Sequence, residues 1–542
     1  MSKYVIGIDY GTLSGRAVLA DAADGRVIAS KEYVYPHAVM DDVLPWGEKV
    51  PSGWALQHPQ DYLDVLTETV PYVIKNIDPK DILAIGLDCT SATVLPVSEA
   101  GLPLCFTDEH KENKYAYIFM WKHHGATEQA ERMTKAAEGT DILNNYGGIV
   151  NSEWMLPKLL QICDEAPDTY DATAHYVEAV DWLVWCLSGQ HTRSAGCLGY
   201  KALFTGEFPD EEYFASLNPK FRKAPEEKLR GQRIALGTAA GTLTSEWAEK
   251  LGLSTDTVIA AGNIDAHVCL PAVGIDGPGK LLAIIGTSTC HIVMSDKVLP
   301  VKGMSGVVMD GVIPGYAAYE AGQSCVGDSF AWFEKKAMPG YIKSEAESQG
   351  ISPQAYLTKL AEKLTPGESG LLALDWFNGN RSDLADAELT GLILGLDLHS
   401  KPEEIYRALL ESTAYGAKII LDRYRESGVE INEFWASGGV SQKNPLAMQI
   451  YADVLDMPVY VTDAKEGPAL GSAIYAAAAA GLWSSVVEAA RKMGGKIAKT
   501  YYPVPENVKI YKELYAEYKK LHDYFGTGEN NVMKTLLHLK NK

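Results

Sequence analysis

Tyr4-Val-Ile-Gly-Ile-Asp-Tyr-Gly-Thr-Leu-Ser-Gly-Arg-Ala-Val-Leu-Ala20 is the stretch whose reading decides the fold. Val5 to Asp9 is a β-prone run, Gly11-Thr12 breaks it, and Arg16 to Ala20 resumes it, which predicts strand, turn, strand. Asp24-Gly25 then separates this from a further run, Arg26 to Tyr35, and an Asp-Gly between two β-prone runs predicts an antiparallel hairpin. The pattern returns in the second half. Leu281 to Ile285 is an apolar strand, Gly286-Thr287-Ser288 breaks it, Cys290 to Met294 resumes it, and Asp310-Gly311 turns a later hairpin. A repeated strand–Gly-Thr–strand unit predicts an internally duplicated α/β chain. Its two similar domains, residues 1–274 and 275–542, are expected to face one another across a cleft.

Outward from these units, His58-Pro59 followed by Asp61, Leu63, Val65, Leu66 and Val70 predicts an amphipathic helix, and Ile82 to Asp88 a buried strand. Ser400 before Lys401, Pro402 and Glu403 reads as an N-cap, an early proline and a capping-box glutamate. They open a helix with an apolar stripe through Tyr406, Leu409, Leu410, Thr413, Ala417 and Ile420. The Gly- and Ala-rich stretch from Leu470 to Ala480 predicts a helix that a neighbouring backbone or a ligand can approach closely.

Composition narrows the function. At 542 residues the chain exceeds one hydrophobic core. Its net charge of −21 argues against nucleic-acid and anionic-membrane partners, because no basic surplus exists to replace counterions. The eight cysteines, from Cys89 to Cys325, include no CxxC pair, which fits reduced thiols and a cytoplasmic setting. The N-terminal apolar run meets Asp9 too soon for a signal peptide, and no apolar stretch has the length of a bilayer span. A homodimer is the base-rate expectation for the assembly.

Asp9-Tyr10-Gly11-Thr12 with Arg16 places a carboxylate at a strand end beside a turn whose amides and hydroxyl can face a phosphate and its metal. A glycine turn between strands is structural more often than not, but the second turn at Gly286-Thr287 lets a polyphosphate be gripped from both domains. Gly274-Ile-Asp-Gly-Pro-Gly279-Lys280 has Walker A spacing. However, Leu281 stands where a Ser or Thr would ligate magnesium, and a strand rather than a helix follows, so it reads as an interdomain turn. His123 and His124 lack a spaced acidic or cysteine partner and carry little weight as metal ligands.

Asp9-Tyr-Gly-Thr with Arg16, Gly262-Asn-Ile-Asp265, Ile285-Gly-Thr-Ser288, Gly438-Gly439 with Asn444, and Gly467-Pro-Ala-Leu-Gly471 occur in the order and spacing of the FGGY carbohydrate kinases. The chain resembles that family over nearly its whole length, and the resemblance implies the duplicated actin-like ATPase (ribonuclease H-like) fold. Trp121-Lys122-His123, Tyr146-Gly-Gly-Ile149, Ser152-Glu-Trp154, Gly199-Tyr-Lys201, Ile264-Asp-Ala-His267, Glu320-Ala-Gly-Gln-Ser324 and Leu374-Asp-Trp-Phe-Asn-Gly379 are similar to its ribulokinase branch. One departure is Lys122-His123-His124, where many members carry an aspartate after the tryptophan.

The resemblance implies ATP and Mg²⁺ as cofactors, with Asp265 as general base and Asp9 orienting the metal. Gly11, Thr12, Arg16, Gly286 and Thr287 would meet the phosphates, Gly438, Gly439 and Asn444 would border the adenosine, and Ala92, Lys201, Asp265 and Glu320 would hold the sugar. It further implies direct in-line phosphorylation of L-ribulose, and of D-ribulose with it, in L-arabinose catabolism. Read without it, Lys201 is a surface lysine and Glu320 a strand-end charge. Two other functions stay open at this point: a different FGGY kinase such as a xylulokinase, and an actin-fold nucleotide binder without sugar kinase activity.

Overall fold

The computed structural model describes residues 2–540. Two seven-stranded mixed sheets dominate it and share one pairing pattern. In the first, strand Tyr4–Tyr10 pairs antiparallel with Ser14–Asp21, which pairs antiparallel with Val27–Val34. On its other side Tyr4–Tyr10 runs parallel to Ile82–Cys89, and that strand runs parallel to Val258–Ala260. In the second sheet Gly279–Ile285, Thr289–Ser295 and Ala317–Gln323 form the antiparallel meander, while Ile431–Ser437 and Val459–Thr462 extend the parallel side. The duplication predicted from the two Gly-Thr units is therefore present in the hydrogen-bond ladders. The outermost strands differ in route: Ala239–Thr242 precedes its neighbour in the chain, whereas Ile497–Tyr501 follows it.

The two leading strands are apolar in continuous runs because both of their faces are covered. Val5, Ile6 and Ile8 are fully buried, as are Leu281, Leu282 and Ala283. Helix Pro59–Val73, begun at His58 as the sequence predicts, packs on the first meander. On the opposite face lies helix Gly467–Ala479, which comes from the far end of the chain yet packs on strands Tyr4–Tyr10 and Ile82–Cys89 of the first sheet and on helix Asp265–Ala272. Its close approach explains the small residues. A Cβ on Gly7 would lie 1.8 Å from the Ala469 carbonyl, one on Gly86 2.0 Å from that of Ser472, and one on Gly471 2.0 Å from that of Val268. Of the two readings left open for this helix, a neighbouring backbone is the one observed.

The helix expected after Ser400 spans Pro402–Glu426, but its cap lies one residue later than predicted. Glu404 Oε2 accepts from the Lys401 amide at 2.8 Å, while the Ser400 hydroxyl turns back to Asp397, accepting its amide at 2.9 Å. The local Asx-type turn at Asp397 competes for the serine, so Glu404 rather than Glu403 closes the box. The Walker-like segment is a connection, as expected: Gly274 and Gly279 adopt φ of +85° and +79°, and Lys280 is held by Asp276 at 2.7 Å. Among the described residues no helix is long and apolar enough to cross a membrane, and all eight cysteines are unpaired thiols.

Candidate active site

Three carboxylates converge at the ends of the central strands of the first sheet, where ligands of open α/β sheets gather. Asp9, the penultimate residue of strand Tyr4–Tyr10, stands in register with Asp88 on the parallel neighbour. The short strand Asn263–Ile264 pairs beyond them with Asp88 and Cys89, and so delivers Asp265 as the first residue of helix Asp265–Ala272. Asp88 escaped the sequence reading, although an acid closing the apolar run Ile82 to Leu87 repeats the signal that singled out Asp9.

Burial, followed by the Asp9 charge, raises the Asp88 carboxyl well above the ordinary carboxylate range. The Ser472 hydroxyl donates to one of its oxygens at 2.5 Å, and the other oxygen is buried without a partner. Burial likewise raises Asp9, while the neighbouring Asp88 carboxyl and Arg16 oppose the shift. Among the described residues no group of three His, Cys, Asp or Glu side chains forms a closed metal cage. Magnesium asks for less: it retains waters and takes one or two carboxylates plus substrate phosphates. The Asp9–Asp88 pair, with its unpartnered oxygen, fits that demand.

Asp265 is raised to about 7, first by burial and then by the Asp9 charge, while the Ala266 amide, donating to it at 2.7 Å, opposes the shift. A carboxylate tuned close to neutral pH is suited to proton transfer.

Each Gly-Thr turn is closed by its glycine amide, the first one residue longer than the second. The Gly11 amide donates to the Ser14 carbonyl at 3.0 Å, and the Gly286 amide to that of Ser288 at 2.9 Å. Thr12 Oγ1 accepts from Trp121 Nε1 at 3.0 Å, leaving its own proton to donate elsewhere. The second turn is braced by helix Gly327–Trp332: the Val326 and Asp328 amides donate to the Thr287 carbonyl and the Gly327 amide to that of Gly286. Arg16 pairs with Glu466 from the far end of the chain and with Glu32 at 3.3 Å.

Gly438, at φ +89°, precedes helix Gly439–Lys443, and a Cβ there would lie 2.6 Å from the Ile285 carbonyl. A Cβ on Gly439 would meet nothing within 4 Å, so that backbone borders open space. The Asn444 side chain is spent on structure. It caps helix Pro445–Leu455 by accepting the Ala447 amide at 3.0 Å and donates to Tyr406 Oη at 3.2 Å.

Between the sheets lies a cavity of ≈ 180 Å³ lined by Thr12, Ala92, Trp121, Lys201, Asp265 and Glu320 among others. The sugar residues inferred from sequence are thus brought together, and Thr12 and Ser288, one from each Gly-Thr turn, join them. A wider space of ≈ 550 Å³ adjoins it, sharing Lys201 and Glu320 and reaching Thr287. Asp9, Gly11, Arg16, Gly286, Gly438, Gly439 and Asn444 line neither space.

Lys201 is 6% exposed, which disposes of the surface-lysine reading. Its Nζ donates to both Glu320 oxygens at 3.2 Å, joining the first half of the chain to the second. Burial alone would raise Glu320, but Lys201 and then His267, 3.4 Å away, hold it well below the usual carboxylate range. A second pair across the cavity, Arg381 with Glu153 at 3.6 Å, was not foreseen for the arginine. His123 stays outside both spaces. Fully buried, it bonds Gln161 Oε1 at 3.0 Å, and burial lowers it to about 3, leaving a neutral packing residue.

Comparison with known proteins agrees with this geometry. Residues 4–271 match the FGGY family of carbohydrate kinases, N-terminal domain, and residues 281–480 its C-terminal domain. The chain is 49% identical to the ribulokinase of Geobacillus thermodenitrificans (strain NG80-2), covering 99% of this chain and 97% of the relative. It is 50% identical to that of Bacillus licheniformis, covering 98% of each. Among solved structures, the xylulose kinase of Rhodospirillum rubrum superposes with a TM-score of 0.80 at 22% identity, over 96% of this chain and 98% of that one. The gluconate kinase of Lactobacillus acidophilus does so with a TM-score of 0.80 at 18% identity, over 97% and 99%. These two share the fold, the two-domain actin-like one. With both domain matches and relatives at half identity over nearly the full length, the chain belongs to the FGGY family of carbohydrate kinases.

Proposed function

We propose that this carbohydrate kinase transfers the γ-phosphate of MgATP to a hydroxyl of ribulose, L-ribulose foremost, giving ribulose 5-phosphate in L-arabinose catabolism. The observation that carries this reading is Asp265, raised to about 7, in a sugar-sized cavity that also presents Lys201 and Glu320. The names of the relatives point to ribulose rather than xylulose.

In the proposed step Asp265 accepts the hydroxyl proton as the sugar oxygen bonds to the γ-phosphorus and the bond to the β,γ-bridging oxygen breaks, releasing ADP. Lys201 and Glu320 orient the sugar through charge-assisted hydrogen bonds, so an acceptor lacking a hydroxyl leaves a buried partner unpaired. Thr12 and Gly11 on one side, with Gly286 and Thr287 on the other, position the phosphates. Gly438 and Gly439 offer open backbone to the adenosine, beside the Asn444 cap. Asp9, with Asp88 behind it, would hold Mg²⁺, which supplies neutralisation of the charge on the transferring phosphoryl group. We assign residues 1–274 and 275–542 to the two halves that close on the substrates; closure would exclude water and limit ATP hydrolysis.

ADP release measured across L- and D-ribulose, L- and D-xylulose, ribitol, arabinitol and glycerol tests the reading. L-Ribulose should give the highest kcat/KM. If D-xylulose or glycerol exceeds it by more than about tenfold, ribulose is wrong while the kinase assignment stands.

A further inference from the structure

The walls of the small cavity include Ala92 and Trp121, which stand just past the end of a β-ladder. Strands Val94–Val97 and Ile118–Phe119 pair through Val94 and Phe119, so Ala92 and Trp121 would form a following opposed pair if the ladder continued. It does not. Ala92 turns into the left-handed region at φ +54°, and the two backbones separate to embrace the cavity. In place of the missing rungs lies the ammonium of Lys158, which donates to the Ala92 carbonyl at 2.7 Å and to the Met120 carbonyl at 2.9 Å.

Lys158 is fully buried in helix Met155–Glu165, and among the described residues it has no ion-pair partner. An unpaired buried cation is expensive, and an apolar side chain of the same length would serve packing alone more cheaply. Its reach is also longer than one wall. Met120 precedes Trp121, whose indole holds the Thr12 hydroxyl of the first phosphate turn.

We infer that Lys158 is a positioning residue: from behind the cavity it clamps the Ala92 and Met120–Trp121 segments and so fixes the sugar pocket. This rests on the sugar-kinase reading of the cavity. Burial, the largest influence, lowers its pKa to about 7, and ammonium and free amine alike retain enough N–H donors for two carbonyls.

The test is Lys158→Met, which keeps length and removes the donors. Displacement of the walls by an ångström should lower kcat/KM for the sugar ~10–100-fold, chiefly through KM. ATP affinity measured without sugar should change less than sugar KM, because the clamp reaches the phosphate turn only through the Trp121–Thr12 hydrogen bond. Lys158→Gln, too short to reach both carbonyls, should also raise sugar KM, and it decides the matter by the same criterion if the Met variant does not fold. A folded variant whose sugar KM stays within about twofold of the parent, or one that loses kcat alone, overturns the clamp. KM is read on whichever acceptor the parent enzyme uses best. Inactivity of the parent on ribulose therefore refutes the substrate reading and still leaves the clamp tested.

Discussion

Replacing Asp265 by Asn keeps the shape of the side chain and removes the proposed base, and the structure sets what should follow. With a carboxyl raised to about 7, roughly a tenth of the free enzyme is ionised at pH 6 and nine-tenths at pH 8. The parent's kcat/KM for sugar should therefore rise with pH, and Mg²⁺ held by Asp9, by cancelling the Asp9 charge, should move that rise to lower pH. Asp265→Asn should lose ~10²–10⁴-fold in kcat and, with it, this limb of the pH profile.

Stability moves the other way. The folded protein binds this proton more tightly than an unfolded chain with the ordinary value of 3.8, so the contribution favouring the fold is complete below 3.8 and lost as pH rises through about 7. A displacement of that size carries about 4 kcal/mol, which partial contact with cleft water reduces to about 2 kcal/mol. At pH 8 the variant should thus be more stable than the parent, and near pH 4 the two should converge. Coupled ADP-release kinetics and urea unfolding at several pH values read both effects, and a stabilised but inactive enzyme cannot be dismissed as misfolded. Near-normal kcat in Asp265→Asn, or an unchanged pH profile, would refute the base assignment.

Lys201→Ala removes both hydrogen bonds to Glu320 and leaves the carboxylate with His267 alone beside it, so kcat/KM for the pentulose should fall roughly ten- to a hundred-fold while ATP affinity without sugar holds. Wild-type kcat/KM would show that the pair does not touch the substrate. Gly7→Ala drives a Cβ into the Ala469 carbonyl at 1.8 Å, and should cost about 3 kcal/mol or more by displacing helix Gly467–Ala479. A urea midpoint equal to the parent's would contradict the packing described. Because the same helix carries the Ser472 hydroxyl to Asp88, activity should fall with it.

The sequence by itself determined the duplicated sheets, because alternating breaks at Gly11-Thr12 and Gly286-Thr287 and the Asp24-Gly25 hairpin are local signals that neighbouring residues write in full. Its strand-end turn pointed to Asp9, while Lys201, Asp265 and Glu320 were reached only through the resemblance to the FGGY family. Only the tertiary structure decided what those residues meet. That Lys201 reaches Glu320, 119 residues on, and that Asp88 lies between Asp9 and Ser472, depend on strand register and on a helix returning from the far end of the chain. Arg381 escaped notice for the same reason: its partner Glu153 belongs to the other half, and no local pattern records a contact across a cleft. The Ser400 cap failed on a finer scale, since an equally local turn at Asp397 claimed the hydroxyl. Burial completes the division. A pKa moved to about 7 at Asp265, or an ammonium closed away at Lys158, is a property of the surroundings that folding assembles, and side-chain identity alone does not carry it.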